Sequence, residues 1–511
     1  MNFPSHTGSD IRVLPTRFGR LEAIVFAAGI AVLVVEIGGA RVLSTYFGDT
    51  LFTWTSSIFV VLASLAFGYY AGGIIADKRP EMKLLSFFLF AAAIFICAAP
   101  FISQVVLNYS LTFGYEFGPL FASLFLFAAP NVFLGMVSPF AVRIKTKGIE
   151  VVGKSAGNLY AISTAGSIAG ALLSGYLLIP FLGVSESFFL MSLMLVVVGV
   201  SVFGVKSVPL VAIALVPFLV SSPQIYNFRS YGTVIYQSDT PYYHLEVIKV
   251  PGLLLLVTSL PGVQTDAYAN LTDPRSLDYY GYQSILYYGP NEVKSALYLG
   301  LGGGSMISDL YQNTNSSIDV VEIDPVVISV AEKYFGISNN SRIKVYNQDA
   351  RFFLRNSTKK YDMIVLDTYG QSLSLPYFLV SEEAAREMES RLNPNGSVFI
   401  NLISPIEGNN AGIFKSVYNT FNSVFPNLYF FALNSNHLNS MQNIEVIAST
   451  NTTRRSASDF MNELKGKINQ EEIISMLYDY YNSSVNTTAY PILTDDRNAL
   501  DNYAASAVSK E

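Results

Sequence analysis

The chain has 511 residues, 51% of them hydrophobic and only 14% charged, which is too long for one domain and too apolar for an ordinary soluble protein. A net charge of −6 gives no reason to expect nucleic acid as a partner. The single cysteine, Cys97, excludes an intrachain disulfide or a cysteine metal site, and the scattered His6, His244 and His437 point away from a zinc centre, so no metal is expected. Stretches before Ser222 are almost uncharged, whereas Asp, Glu, Lys and Arg crowd in after Asn227. We therefore expect a membrane part over 1–222, a small antiparallel β-subdomain over 223–290 and an α/β domain over 291–511.

Apolar runs long enough to cross a bilayer occur at about 21–43, 51–76, 84–107, 117–142, 156–181, 186–205 and 208–222. They predict about seven helices; the last run is short, so six is the competing count. The first run is too long, and too closely followed by others, for a cleaved signal peptide. Gly68 with Gly72, and Gly166 with Gly170, repeat at helical spacing and predict close helix packing. Arg12, Arg17 and Arg20 precede the first run, Lys78, Arg79 and Lys83 follow the second, and Arg143, Lys145, Lys147 and Lys154 follow the fourth. The positive-inside rule then places the N-terminus in the cytoplasm, and seven crossings would put the region after Ser222 outside a cell membrane. Asn-x-Ser/Thr sites at Asn270, Asn315, Asn339, Asn356, Asn395, Asn451, Asn482 and Asn486 agree with that side, and the cytoplasmic side is the competing placement. Glu36 is the ionisable residue deepest in a span; an interfacial ion pair with Arg41 is the simpler reading and a functional carboxylate the sharper one.

Short β-like segments at 234–236, 245–250 and 253–257 predict a small sheet. From Ala296 strands at about 296–301, 318–322, 343–346, 362–366 and 397–402 alternate with helices near 305–312, 325–335, 350–355 and 380–391, and 428–433 with 443–448 reads as a closing hairpin. This is a Rossmann-like, mostly parallel α/β pattern, in which ligands sit at the carboxyl ends of the strands.

Four polar positions fall at those ends. After the first strand comes Gly300-Leu301-Gly302-Gly303-Gly304-Ser305, where main-chain N–H groups can approach a ligand and Ser305 is expected to cap the next helix. Val320-Val321-Glu322-Ile323-Asp324-Pro325 closes the second strand, and Glu322 can take both hydroxyls of a ribose. Asp349 follows the third strand as an acceptor for an adenine amino group, and Asp367 ends the fourth, toward the reacting end. Any one of these acids could simply cap a helix; three at successive strand ends favour a site.

The order Leu-Gly-Gly-Gly, Val-Glu-Ile-Asp-Pro, Gln-Asp-Ala-Arg and Leu-Asp-Thr resembles the polyamine aminopropyltransferases, the spermidine synthase family. Pro241-Tyr242-Tyr243-His244, Gly262-Val263-Gln264 and Asp278-Tyr279-Tyr280-Gly281-Tyr282-Gln283 resemble that family's upstream signatures. Glu36-Ile37-Gly38-Gly39-Ala40-Arg41, Gly68-Tyr69-Tyr70-Ala71-Gly72-Gly73 and Leu493-Thr494-Asp495-Asp496-Arg497-Asn498 are similar to its membrane-fused members.

The resemblance implies decarboxylated S-adenosylmethionine as co-substrate, with no permanently bound cofactor. Gly302, Gly303, Gly304, Ser305, Glu322, Asp349 and Gln264 would hold it. Asp367 would be the general base toward an attacking amine, with Tyr282 beside it, and Gln283, Tyr369 and Tyr243 would contact the amine or polyamine. The lipid bilayer is the other expected partner, and self-association is left open.

Ser305 and Gly370 stand where soluble members of that family carry acids, and Ser284 follows the Tyr-Gln pair in place of another. The expectation is a different acceptor, with fewer or differently spaced charges than putrescine, or Asp495 and Asp496 folding back to supply charge. An S-adenosylmethionine-dependent methyltransferase, and a sensor or transporter that binds without turnover, are the alternatives.

Overall fold

A computed structural model describes residues 19–146, 152–203, 211, 214–215, 232–258, 263–268, 280–369, 375–497, 500 and 502–503, with the backbone alone at 263–268 and 280. Six helices of membrane-crossing length come first: α1 (Arg20–Phe47), α2 (Leu51–Lys78), α3 (Met82–Ser110), α4 (Gly114–Lys145), α5 (Val152–Leu173) and α6 (Val184–Phe203). Five helical stretches are long and apolar enough to cross a membrane, and the longest of them, Met82–Lys145, is a hairpin in which α3 and α4 join through the tight turn Leu111–Phe113 and Gly114, at φ 75°. The expected seventh run at 208–222 falls almost wholly outside the described residues.

The glycine pairs act as expected. A Cβ at Gly68 would overlap the Val132 carbonyl oxygen and one at Gly72 would lie 2.6 Å from Met136 Cα, so α2 and α4 touch backbone to backbone. Gly166 and Gly170 meet Phe26 and Ile30 in the same way and join α5 to α1.

The two ends of the bundle differ in charge. One end gathers Arg20, Lys78, Arg79 and Lys83 with the ion pairs Arg143–Asp77 (3.1 Å) and Lys145–Glu22 (2.5 Å). At the other, Phe47 packs on Tyr115 with ring centroids 6.1 Å apart, and Gly38 meets Phe188 near the start of α6.

The small sheet has four antiparallel strands in chain order: β1 (Thr233–Asp239), β2 (His244–Val250), β3 (Leu253–Val257) and β4 (Val263–Tyr268), the last beyond the three expected. Successive side chains of a strand point to opposite faces. Ile248, Leu255 and Val257 accordingly join the core of the helical bundle, while Leu245, Val247 and Leu256 join the core of the α/β part. The sheet is thus an apolar spacer buried on both sides.

The α/β part contains β5 (Ser295–Leu299), α7 (Ser305–Asn313), β6 (Ser317–Glu322), α8 (Pro325–Phe335), β7 (Ile343–Asn347), α9 (Ala350–Asn356), β8 (Tyr361–Leu366), α10 (Glu382–Ser390), β9 (Leu392–Ser404), α11 (Gly412–Asn422), β10 (Asn427–Ala432), β11 (Gln442–Ser449), α12 (Ala457–Leu464) and α13 (Gln470–Tyr478). Its strands lie in the order β10-β11-β9-β8-β5-β6-β7, with β9 to β7 parallel and the expected hairpin added antiparallel at one edge. This is the Rossmann-like arrangement anticipated from the strand-helix alternation. Helices α11, α12 and α13 were not expected.

Candidate nucleoside and amine site

The register of the large sheet builds the site. Leu299 pairs with Val321 and Leu366, Leu366 with Ile400, and Ile400 with Val446, and all five side chains are buried on one face. The adjoining residue on each strand must point to the other face. Those residues are Glu322, Gly300, Asp367, Asn401 and Glu445, and Phe431 of β10 lies opposite Glu445. The result is one row across the sheet: an acid, a gap without a side chain, a second acid, an amide, a third acid and an aromatic ring.

Gly300, at φ 99°, sits where a Cβ would overlap the Asp367 carbonyl oxygen, so only glycine lets the loop pass the end of β8. Gly302 is also in the left-handed region, at φ 51°, and Gly303 completes the turn. The cap of α7 corrects the sequence expectation: Gly304, at φ 76°, is the N-cap and Ser305 is the first helical residue, buried inside. A left-handed turn at 304 brings the chain into the helix without a side-chain cap.

Glu322 is 7% exposed and accepts from Leu301 N (3.1 Å) and Asp324 N (2.9 Å), one to each carboxylate oxygen. Burial pushes it up to about 7, against the opposing effect of those N–H groups. Each oxygen keeps a further lone pair for a ligand hydroxyl. Asp349 caps α9 by accepting from Phe352 N at 2.8 Å, so its helix-capping duty is real whatever else it does. Gln264 lies on β4, where only the backbone is described.

Over this end folds the Thr240–His244 segment. Thr240 Oγ1 accepts from Tyr242 N and Tyr243 N, both at 3.1 Å. Burial and the acids Glu322 and Asp324 push the hydroxyls of Tyr242 and Tyr243 up, which reflects how close the loop lies to those acids. His244 is held between Asp239 (2.9 Å) and Glu246 (3.4 Å), and their hold outweighs burial, so its pKa is raised. The loop is fastened from below by Arg41 of α1, which donates to the Thr240 and Pro241 carbonyl oxygens. Among the described residues there is no Glu36–Arg41 ion pair; the expected partner is replaced by two carbonyls that accept from the two terminal nitrogens of the guanidinium at the end of the bundle.

In the middle of the row burial pushes Asp367 up to about 6, partly offset by Asn401 Nδ2, which donates to its Oδ1 at 3.1 Å. Asn443 Nδ2 in turn donates to Asn401 Oδ1 at 2.9 Å and fixes that amide's orientation. The Tyr369 hydroxyl donates to Asn401 O (3.1 Å) and accepts from Ile403 N (2.9 Å), so it is already engaged and only its ring is offered to a ligand. Tyr282 donates to Asp479 at 2.6 Å and its ring lies 5.6 Å from that of Phe431.

Gln283 departs from its expected place. Its amide donates to Met306 O (2.8 Å) and Asp309 (2.7 Å) and accepts from Tyr298 (2.7 Å), a buried network that steadies α7 rather than lining the cleft. Asp495 departs as well: it pairs with Arg351 (3.1 Å) and Arg355 (3.5 Å) and accepts from Ser381 (2.6 Å). Its charge serves α9 and α10, not an amine. Asp496 is exposed, and Gly370 lies outside the described residues. Asn401, Glu445 and Asp479 were not anticipated; for the first two the available signal was a lone polar residue inside the apolar strands at 398–402 and 444–448.

A model of the family described as "Spermine/spermidine synthase domain" matches residues 286–457. The chain is 29% identical over 213 residues to the polyamine aminopropyltransferase of Vibrio vulnificus (strain CMCP6), covering 40% of this chain and 68% of that protein. It is 23% identical over 405 residues to polyamine aminopropyltransferase 2 of Aquifex aeolicus (strain VF5), covering 74% of this chain and 78% of that protein, a span too long to exclude the apolar helices. A third similarity, 33% over 146 residues, is to the human eEF1A lysine and N-terminal methyltransferase, covering 26% of this chain and 20% of that protein. Residues 286–457 thus carry a spermidine synthase-like domain.

Proposed function

We propose that this protein is a membrane-bound aminopropyltransferase-like enzyme that transfers the aminopropyl group of decarboxylated S-adenosylmethionine to an amine. The row of Glu322, Gly300 and Asp367 carries this reading. Adjacent strands lie about 4.8 Å apart, so the two acids stand roughly 10 Å from each other with no side chain between them. Glu322 takes the ribose hydroxyls, the sulfonium lies over Gly300, and the amine arrives beside Asp367. A neutral amine nitrogen attacks the methylene next to the sulfonium, the carbon–sulfur bond breaks with its electron pair going to sulfur, and methylthioadenosine leaves. The new ammonium gives its extra proton to Asp367, which burial holds near neutrality. Alignment and proton removal are all the reaction asks of the protein.

Incubation with decarboxylated S-adenosylmethionine and a panel of amines, read by mass spectrometry, tests this; no methylthioadenosine from any amine overturns it. The methyltransferase similarity favours a second reading, transfer of a methyl group, and that reading requires product from S-adenosylmethionine itself.

On the same reading the chain divides at 222 and 290, and the bundle lies in a bilayer. Outward apolar side chains such as Tyr70 (70% exposed) and Phe181 (77%) support this. The small sheet docks at the end of the bundle opposite the basic residues, through Arg41 and through Asp239, whose carboxylate lies against Gly183. The positive-inside rule makes the basic end cytoplasmic, so the docked site is extracytoplasmic. Phe203 ends α6 beside Phe90, near the basic end, and the sequence offers the run 208–222 for the remaining crossing.

A further inference from the structure

Glu445 is a carboxylate the reaction above does not use. It is 0% exposed, and neither carboxylate oxygen has a hydrogen-bond partner among the described residues. No cation pairs with it among the described residues; across the strands it faces Asn401 on one side and Phe431 on the other. Burying an unpaired carboxyl group costs stability unless it is neutral or a ligand completes it. Both burial and Asp367 push its pKa well above the ordinary carboxylate range, which favours the neutral form in the empty protein.

Its position gives that cost a purpose. Asp367 and Glu445 flank Asn401 in the row, two strands apart, on the face that also carries the Phe431 and Tyr282 rings. The Asn401 amide is tied to Asp367 and to Asn443, leaving Glu445 as the carboxylate of this end of the row with no partner. Asp495, the acid the sequence offered for the same duty, is committed to Arg351.

Resting on the aminopropyltransferase reading, we infer that Glu445 binds the second, non-reacting ammonium group of a diamine whose reacting nitrogen lies at Asp367. The counter-charge missing at Ser305 is thereby supplied from β11, and the acceptor keeps two cationic centres instead of having fewer. This replaces the sequence-based expectation of weak putrescine use.

The test reads binding, so that it stands apart from turnover. Full-length protein saturated with methylthioadenosine is titrated with 1,4-diaminobutane and with 1-aminobutane by calorimetry, in buffers of different ionisation enthalpy. We expect the diamine to bind at least tenfold tighter than the monoamine and to release about one proton as Glu445 ionises. E445Q should remove both the preference and the proton release while leaving methylthioadenosine affinity unchanged, and E445D should keep part of the preference. Equal affinity for the two amines, or a preference that survives in E445Q, overturns the inference. Absence of transfer with the diamine preference intact counts only against the aminopropyltransferase reading.

Discussion

Replacement of Glu322 by glutamine isolates the nucleoside site. Each oxygen of the carboxylate already accepts one backbone N–H, from Leu301 at 3.1 Å and Asp324 at 2.9 Å. An amide has one oxygen, so one of those N–H groups would face an N–H₂, at a cost of about 1–3 kcal/mol in the fold. The ribose would exchange two charge-assisted hydrogen bonds, worth about 1.5–3 kcal/mol each, for at most one neutral one. The net loss is about 1.5–5.5 kcal/mol, and a middle value of about 3 kcal/mol corresponds to roughly 150-fold weaker binding. Titration calorimetry with methylthioadenosine measures it, with melting followed alongside. The pH dependence is a second readout. Burial raises Glu322 to about 7, above its unfolded value, so its contribution to the stability of the empty protein is fully present below the unfolded pKa and lost as pH rises through about 7. Ligand affinity runs the other way, because ribose hydroxyls donate to the ionised form; it should rise about tenfold from pH 6 to pH 8 and be flat in E322Q. A loss below fivefold, or the same pH slope in the variant, refutes the ribose assignment.

Asp367→Asn should keep methylthioadenosine affinity within about twofold and lower turnover by at least about a hundredfold, the usual contribution of a general base; full activity in single-turnover assays would remove Asp367 from the chemistry. Asp495→Asn should lower stability by about 1–3 kcal/mol through the loss of charge-assisted bonds to Arg351 and Ser381, with the amine KM unchanged; a raised KM without a fall in melting temperature would return Asp495 to the amine site. In a Cys97→Ser background, a cysteine at Asn436 should react with a membrane-impermeant maleimide on intact cells and one at Arg79 should not. The reverse pattern would put the site in the cytoplasm.

Much of the site could be read from residue spacing. Glycines after an apolar run, and acids closing the next strands, place Glu322 and Asp367 because parallel strands present their ends on one side. Asn401 and Glu445 were hidden for a matching reason: a lone polar residue in an apolar strand acquires meaning only once pairing shows which strand lies beside it, and β11 runs antiparallel. Ser305 misled because serine is a good cap in the abstract, whereas a left-handed Gly304 takes the chain past it. Arg41 misled because Glu36 is near in sequence and the true acceptors are about two hundred residues away. Asp495 was placed by its motif, and the motif ends on an arginine of α9 that no periodicity reveals.

The Arg41 contacts also bear on how the protein can be studied. An excised soluble fragment would retain Glu322, Gly300 and Asp367, yet its Thr240 and Pro241 carbonyls would meet water in place of a guanidinium, and Ile248, Leu255 and Val257 would be laid bare. The loop over Glu322 and Asp324 would lose its anchor, and the fragment would gain an adhesive face. On the proposed reading, detergents or lipids that tilt α1 would act on the same anchor, so nucleoside affinity would report on how firmly α1 holds the loop.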